Sequence, residues 1–177
     1  MKTYTLPPRI TLVPTTRDDI DTLPGLELAA ARRFVTLPDL AWIADGPVQD
    51  RHQHRACADA GQSWVARHNA QPVGFILTQP MDAALFILEL SVHPDWQGKG
   101  IGRALIATAA EAARQRGFHA LTLTTFLQVP WNAPFYAGLG FEVLEDTALT
   151  PELRERRETE TAHGLAWESR CAMRLIL

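Results

Sequence analysis

"SVHPDWQGKGIGRALI", residues 91–106, carries an apolar run into a segment of helical periodicity through a turn with three alternating glycines, Gly98, Gly100 and Gly102. Upstream, "AALFILELSV" (83–92) is almost continuously apolar, the pattern of a strand covered on both faces. Downstream, Ile101, Leu105, Thr108 and Ala112 fall on one face of a helix predicted from Ile101 to about Arg116, with Gly117 placed to end it. A strand, a turn and a helix start in that order gather free backbone N–H groups and the positive end of a helix dipole at one point. Phosphate suits such a point. Lys99 and Arg103 add positive charge, and the glycines allow positive φ or a close backbone approach.

Two familiar phosphate loops do not fit. A Walker A loop needs Ser or Thr after its lysine, and Lys99 is followed by Gly100. A dinucleotide-binding turn needs G-x-G-x-x-G, but Gly98 and Gly100 are followed by Arg103, and Gly100 and Gly102 by Leu105.

The rest of the chain reads as a mixed α/β sheet protein. "RITLV" (9–13) is predicted as a strand, followed by a helical region in which Leu26, Ala30 and Phe34 recur and which Pro24 and Gly25 split. Residues 36–61 are read as a helix and a loop. "SWVARHN" and "PVGFILTQ" form a strand pair turning at "HNAQP". Beyond the glycine turn come a strand at 119–126, a short helix at "NAPFYAGL" and a strand at "GFEVLE". A charged helix at "PELRERRETETAHG", with Glu152/Arg156 and Arg154/Glu158 at i,i+4, precedes a last strand at "WESRCAMRLIL".

Composition narrows the function. The 177 residues fit one domain, 1–177, with a real core; 46% are hydrophobic and 21% charged, as in a globular protein. A net charge of −3 leaves no basic field for nucleic acid. The charge-free stretch 117–141 is broken by Gln128, Pro130, Asn132 and Pro134, so no membrane span is expected. Cys57 and Cys171 lie far apart and the N-terminus lacks a signal-peptide core, which points to the cytoplasm. His52 and His54 have no third metal ligand at a fitting spacing and read as a solvated loop or helix face; no metal is expected. Asp18, Asp19, Asp21 and Glu27 read as helix-start residues on a solvated face, or as attraction for a cationic substrate. The five tryptophans read as core residues.

The turn together with what precedes it, L-S-V-H-P followed by Q-x-x-G-x-G at Gln97, Gly100 and Gly102, resembles the GNAT superfamily of acetyl-CoA-dependent N-acetyltransferases. A second match lies downstream, where "FYAGLGF" (135–141) resembles the family's Y-x-x-L-G-F signature. Together the two motifs cover roughly residues 83–145. The resemblance implies a single-domain fold with a mixed sheet of six to seven strands flanked by helices and splayed between the fourth and fifth strands. It implies acetyl-CoA as co-substrate, held through Leu90, Ser91, Val92, Gln97, Gly98, Lys99, Gly100, Ile101, Gly102, Arg103, Asn132 and Tyr136. In the family the backbone near Val92 polarises the thioester carbonyl, and Tyr136 matches the general acid for the departing thiolate. Asn132 sits closer to the tyrosine than the family's asparagine often does, leaving two readings, cofactor ligand or helix cap.

An attacking amine of pKa about 10.4 needs a base at neutral pH. Glu89 is the only charged residue in the run 83–92 and shares a strand face with Ser91 and His93, so it is the first candidate; the competing reading pairs it with an arginine. Glu27 is the second candidate. The expected acceptor is a primary amine, with a small-molecule amine as the first expectation and a protein or peptide N-terminus or lysine as the alternative. Two alternatives remain at this stage: a non-catalytic acyl-CoA sensor, and a homodimer in which the final strand completes a neighbour's sheet.

Overall fold

The computed structural model describes residues 5–177. The order of elements is β1 (Ile10–Pro14), α1 (Leu23–Ala31), 3₁₀ helices Arg32–Thr36 and Pro38–Asp45, α2 (Arg51–Asp59), β2 (Ser63–His68), β3 (Gln71–Met81), β4 (Ala84–Val92), α3 (Ile101–Gln115), β5 (Ala120–Phe126), α4 (Ala133–Ala137), β6 (Glu142–Val143), α5 (Pro151–Ala162) and β7 (Arg170–Ile176). Among the described residues seven strands form one mixed sheet in the order β1-β2-β3-β4-β5-β7-β6. The parallel ladder of β4 with β5 consists of Leu85–Leu121 and Phe86–Thr122, and this short pairing is where the expected splay falls. Among the described residues no helix is long and apolar enough to cross a membrane.

Backbone packing separates two compact units: residues up to Thr78 with Leu88–Ala109, and Gln79–Ile87 with Ala110–Leu177. In the first, β2 and β3 form a hairpin closed by the two-residue turn Asn69-Ala70, both at positive φ, the geometry that matches the twist of the flanking strands. Leu23 and Leu26 of α1, Cys57 of α2, Val65, Phe75 and Leu77 make its core, with Val13 and Leu88 packed against it. Pro24 and Gly25 do not split a helix. Proline lies in the first turn of α1, where its missing N–H has no intrahelical acceptor to lose. The acids before α1 are not a uniformly solvated face either. Asp19 is buried, accepts from the Thr16 backbone and hydroxyl (both 2.8 Å), and is gripped by Arg67 at 2.6 and 3.0 Å, while Arg51 pairs with Asp21 at 2.8 Å.

In the second unit, α5 is fixed to the sheet by a charged network. Glu160 accepts from Arg156 (3.2 Å), Arg170 (3.0 Å) and the Thr124 hydroxyl (2.5 Å). The i,i+4 pair realised on α5 is therefore Arg156–Glu160. Glu152 instead accepts from the Asp82 backbone (2.7 Å), and Arg154 donates to the Asp146 carbonyl, because both ends of the helix have tertiary partners that outcompete solvent-exposed pairs. β7 completes this chain's own sheet, paired with β5 over Arg170–Ile176 and with β6 at Met173 and Arg174.

His54 overturns the reading of a solvated face. It is fully buried on α2, edge-on to Phe75 at 5.0 Å, and burial pushes its pKa down to about 4. The sign follows directly. The unfolded imidazole binds a proton near pH 6.5 and the folded one near 4, so stability is fully present above pH 6.5 and falls as pH drops toward 4. The loss is expected to reach about 2–3 kcal/mol. Urea unfolding at pH 7.5 and 4.5 should show it for the native chain and a smaller loss for His54→Phe; equal losses would remove His54 as the cause.

Candidate active site

The site is built where β4 ends and α3 begins. The His93 N–H donates to the Val73 carbonyl (2.9 Å), which carries the β3–β4 pairing to the last residue before the turn. Gln97 then reaches back: its Nε2 donates to the Val92 carbonyl (3.0 Å), closing the turn against the strand it leaves. Lys99 Nζ donates to the Asp95 carbonyl (2.8 Å) and lies 4.9 Å from the Trp96 ring centre. Gly98 and Gly100 both have positive φ, +72° and +83°. For Gly98 the reason is conformation and not space, since a Cβ there would meet nothing within 4 Å.

The first turn-closing bond of α3 runs from Ala104 N to the Gly100 carbonyl (3.0 Å). The N–H groups of Ile101, Gly102 and Arg103 thus occupy the helix start, where no intrahelical acceptor exists, and the left-handed glycines before them shape a nest for an anion. Arg103 is exposed beside it. The buried stripe of α3 is Ile101, Leu105, Ile106, Ala109, Ala110 and Ala113, with Thr108 and Ala112 only half-buried at its margin. Gly117, at φ +81°, ends the helix as expected.

One residue essential to this geometry gave no motif signal. Gly74 of β3 lies so close to the site that an added Cβ would stand 3.1 Å from the Ser91 carbonyl, 3.2 Å from Ile101 Cγ2 and 3.3 Å from Val92 Cγ2. Its missing side chain lets β3 press against both the end of β4 and the first residue of α3. A glycine inside the strand pattern "VGFIL" is the only trace this leaves in the sequence.

Glu89 stands half-buried on β4 between Leu88 and Leu90, and the Ser91 hydroxyl donates to its Oε1 (2.8 Å), so the expected shared face is realised. Glu27 is the larger departure. It lies on the buried side of α1 with Leu23 and Leu26, accepts from the Gln49 N–H (2.9 Å), and its pKa is pushed up to about 8, first by burial and then by the charge of Glu89. The sequence held a signal for this, because Glu27 is one helical turn after Leu23.

In the other unit, Tyr136 on α4 is buried, with its ring edge-on to Phe135 (5.1 Å) and Phe141 (5.6 Å). Its carbonyl accepts from Leu139 (2.9 Å) and Phe141 (3.1 Å), and Gly140, at φ +95°, allows the chain to fold back there. Asn132 holds the N-cap position of α4, with its carbonyl accepting from Tyr136 N (3.1 Å). Its side chain makes no cap bond and donates instead to the Trp131 carbonyl (3.2 Å). Leu90, Ser91, Val92 and the turn from Gln97 to Arg103 thus come together in one unit with Glu27 and Glu89, while Asn132 and Tyr136 are set by the other. Among the described residues no group of three or more His, Cys, Asp or Glu is placed to hold a metal ion.

The Gly74 approach generates a prediction. Gly74→Ala should cost about 1–3 kcal/mol, because backbone at Ser91 must give way. The check is urea unfolding, with a lower midpoint and an unchanged slope; a midpoint equal to the native one would mean that β3 is not tightly packed at this point.

The model of the acetyltransferase (GNAT) family matches residues 31–141. Among curated proteins, N-acetyltransferase family 8 member 3 of Mus musculus is 29% identical over 100 residues, covering 53% of this chain and 44% of that protein. The probable N-acetyltransferase camello of Xenopus laevis is 37% identical over 82 residues, covering 45% and 37%. The matches thus span less than half of these relatives' length. Among solved structures, the PaiA N-acetyltransferase of Thermoplasma acidophilum in complex with coenzyme A aligns with a TM-score of 0.69 at 18% identity, over 95% of this chain and 99% of that one. At that identity the likeness is one of fold. A family model covering well over half of the sequence, from the end of α1 through the glycine turn to Phe141, does more: the chain belongs to the acetyltransferase (GNAT) family.

Proposed function

We propose that this protein is an acetyl-CoA-dependent N-acetyltransferase acting on a primary amine, with Glu89 as base and Tyr136 as general acid. The observation that carries the reading is the nest at the start of α3, where two left-handed glycines precede three N–H groups at a helix N-terminus. Gly98, Gly100, Ile101, Gly102 and Arg103 would hold the pyrophosphate of coenzyme A there, with Gln97 and Lys99 keeping the turn in shape. The donor set fits the group: backbone amides, one guanidinium and no carboxylate within residues 96–103. Leu90, Ser91 and Val92, at the end of β4, lie next in line for the pantetheine arm and the thioester carbonyl, and Asn132 is assigned to the same ligand from α4. Acetyl-CoA supplies an activated acetyl group with a thiolate as leaving group.

The protein's part is proton management and orientation. Glu89 takes a proton from the acceptor nitrogen, leaving its lone pair for attack. Tyr136 gives a proton to the departing sulfur. Direct transfer in a ternary complex requires no covalent enzyme intermediate, and no nucleophilic side chain is assigned. The buried free thiols Cys57 and Cys171 suit a reducing compartment, which supports a cytoplasmic setting. Acceptors among structures of this fold include peptides: Arabidopsis thaliana Naa50 was solved with the bisubstrate analogue CoA-Ac-MVNAL. The acceptor screen therefore spans small amines and peptide α-amines.

Titration calorimetry with acetyl-CoA is the first test. The native chain should bind, and Gly100→Asp, which puts a carboxylate into the nest, should not; failure of the native chain to bind would overturn the reading. CoA release with an amine panel should then fall about 10²-fold in Tyr136→Phe at unchanged acetyl-CoA affinity. Binding without amine-dependent release would favour the acyl-CoA sensor.

A further inference from the structure

Ser91 is 5% exposed, so its hydroxyl proton needs a protein acceptor. It has one in Glu89, where Oγ donates to Oε1 at 2.8 Å. The two residues alternate with Leu88 and Leu90 along β4 and share a strand face, while Leu88 turns the other way, onto the cluster of Leu23, Leu26 and Phe75. The main chain of Ser91 is held as well. Its carbonyl faces Gly74 so closely that an added Cβ there would stand 3.1 Å away, the Val92 carbonyl accepts from Gln97 Nε2 (3.0 Å), and the His93 N–H donates to Val73 (2.9 Å). Fixed backbone and a fixed hydroxyl thus meet at one residue. His93, next along this face, is engaged elsewhere: its Nδ1 accepts from the Asp95 N–H (3.3 Å) and lies 3.7 Å from the Asp95 carboxylate.

We propose that Ser91 is a positioning residue for the reaction: its hydroxyl holds the Glu89 carboxylate ionised and in one orientation, on the strand whose end is assigned to the thioester. This deepens the acetyltransferase reading and rests on it for Glu89 as base; the hydrogen bond itself does not depend on that reading.

Two physical effects combine. A half-buried carboxyl is pushed toward its neutral form by desolvation, and a neutral carboxylic acid cannot take a proton from an amine. A hydroxyl donated to the anion opposes this, because a hydrogen bond to a charged oxygen is stronger than one to the neutral acid. The second effect is geometric. A glutamate side chain is long and rich in rotamers, and a base must meet its proton at hydrogen-bond distance and in line. Ser91 removes much of that freedom before the acceptor arrives, and it does so from a strand end that β3 and the glycine turn already hold still.

The test compares Ser91→Ala, which deletes the hydroxyl, with Ser91→Thr, which keeps it on a residue suited to a strand. In protein labelled with ¹³C at glutamate Cδ, the Glu89 signal is identified by its loss in Glu89→Gln. It should titrate about one pH unit higher in Ser91→Ala than in the native chain, and close to the native midpoint in Ser91→Thr. An unmoved midpoint in Ser91→Ala would overturn the proposal. In acetyl transfer to the best amine of the panel, kcat should fall about tenfold in Ser91→Ala, with acetyl-CoA affinity unchanged because the cofactor is assigned only the backbone of Ser91. The acid limb of the rate profile should move to higher pH together with the NMR midpoint. A serine that merely packs would lower the urea midpoint and leave that limb in place. Adding Ser91→Ala to Glu89→Gln should cost no further rate; a second loss of the same size would mean that the hydroxyl acts without Glu89, and would refute the role. This cycle decides the matter even where Ser91→Thr packs poorly. Full activity in Glu89→Gln would sink Glu89 as base and the positioning role with it, while the NMR midpoint would still report the bond, so the two failures are told apart.

Discussion

The approach of β3 to the junction of β4 and α3 is the constraint on which the rest of the site depends. At Gly74 the strand backbone comes so near the Ser91 carbonyl, Val92 and Ile101 that even a methyl group would stand 3.1–3.3 Å from them, closer than ordinary contact. Three elements therefore share one fixed point. The His93–Val73 bond and the Gln97–Val92 bond brace that point from either side. Because a turn of alternating glycines has little stiffness of its own, its conformation is held by what it is anchored to. The anchoring is a strand end on one side and the first, fully buried residue of α3 on the other.

The same strand carries a second consequence. β4 is fully buried from Leu85 to Ile87 and half-buried from Leu88 to Leu90. Its ladder with β5 is confined to Leu85 and Phe86. Cover thus thins along a single strand, and the one charged residue falls where it has thinned. A carboxylate in the fully buried half would have been expelled or neutralised; in the half-buried part it can be retained, held by the Ser91 hydroxyl.

Most of the architecture was legible because it follows from periodicity and punctuation. The strands at β2, β3, β4 and β5, the long helix α3 with its Gly117 stop, and the final strand all lie where pattern places them. Less legible was the segment from Asp18 to Asp59. Its 3₁₀ helices have no strong period, and the fate of its polar residues depends on partners far away in sequence: Asp19 on Arg67, Glu27 on Gln49, His54 on Phe75. A buried polar residue looks the same in sequence as an exposed one. On α5, likewise, charge spacing predicted the pairs Glu152/Arg156 and Arg154/Glu158, but Glu152 went to the Asp82 backbone, Arg154 to the Asp146 carbonyl and Arg156 to Glu160.

The sequence by itself determined the strand–glycine–helix junction, the family it resembles, and the absence of any magnesium ligand after Lys99. These are local matters of spacing and backbone freedom, so a linear reading reaches them. Only the tertiary structure decided that β3 is packed tightly at Gly74, that β7 pairs within this chain's own sheet, and that Glu27 is buried, held by the Gln49 N–H. Those depend on which residues far apart in sequence are brought within reach of one another, and on how much water is left between them. The acidity of a carboxyl is set by that environment, which no spacing of letters records.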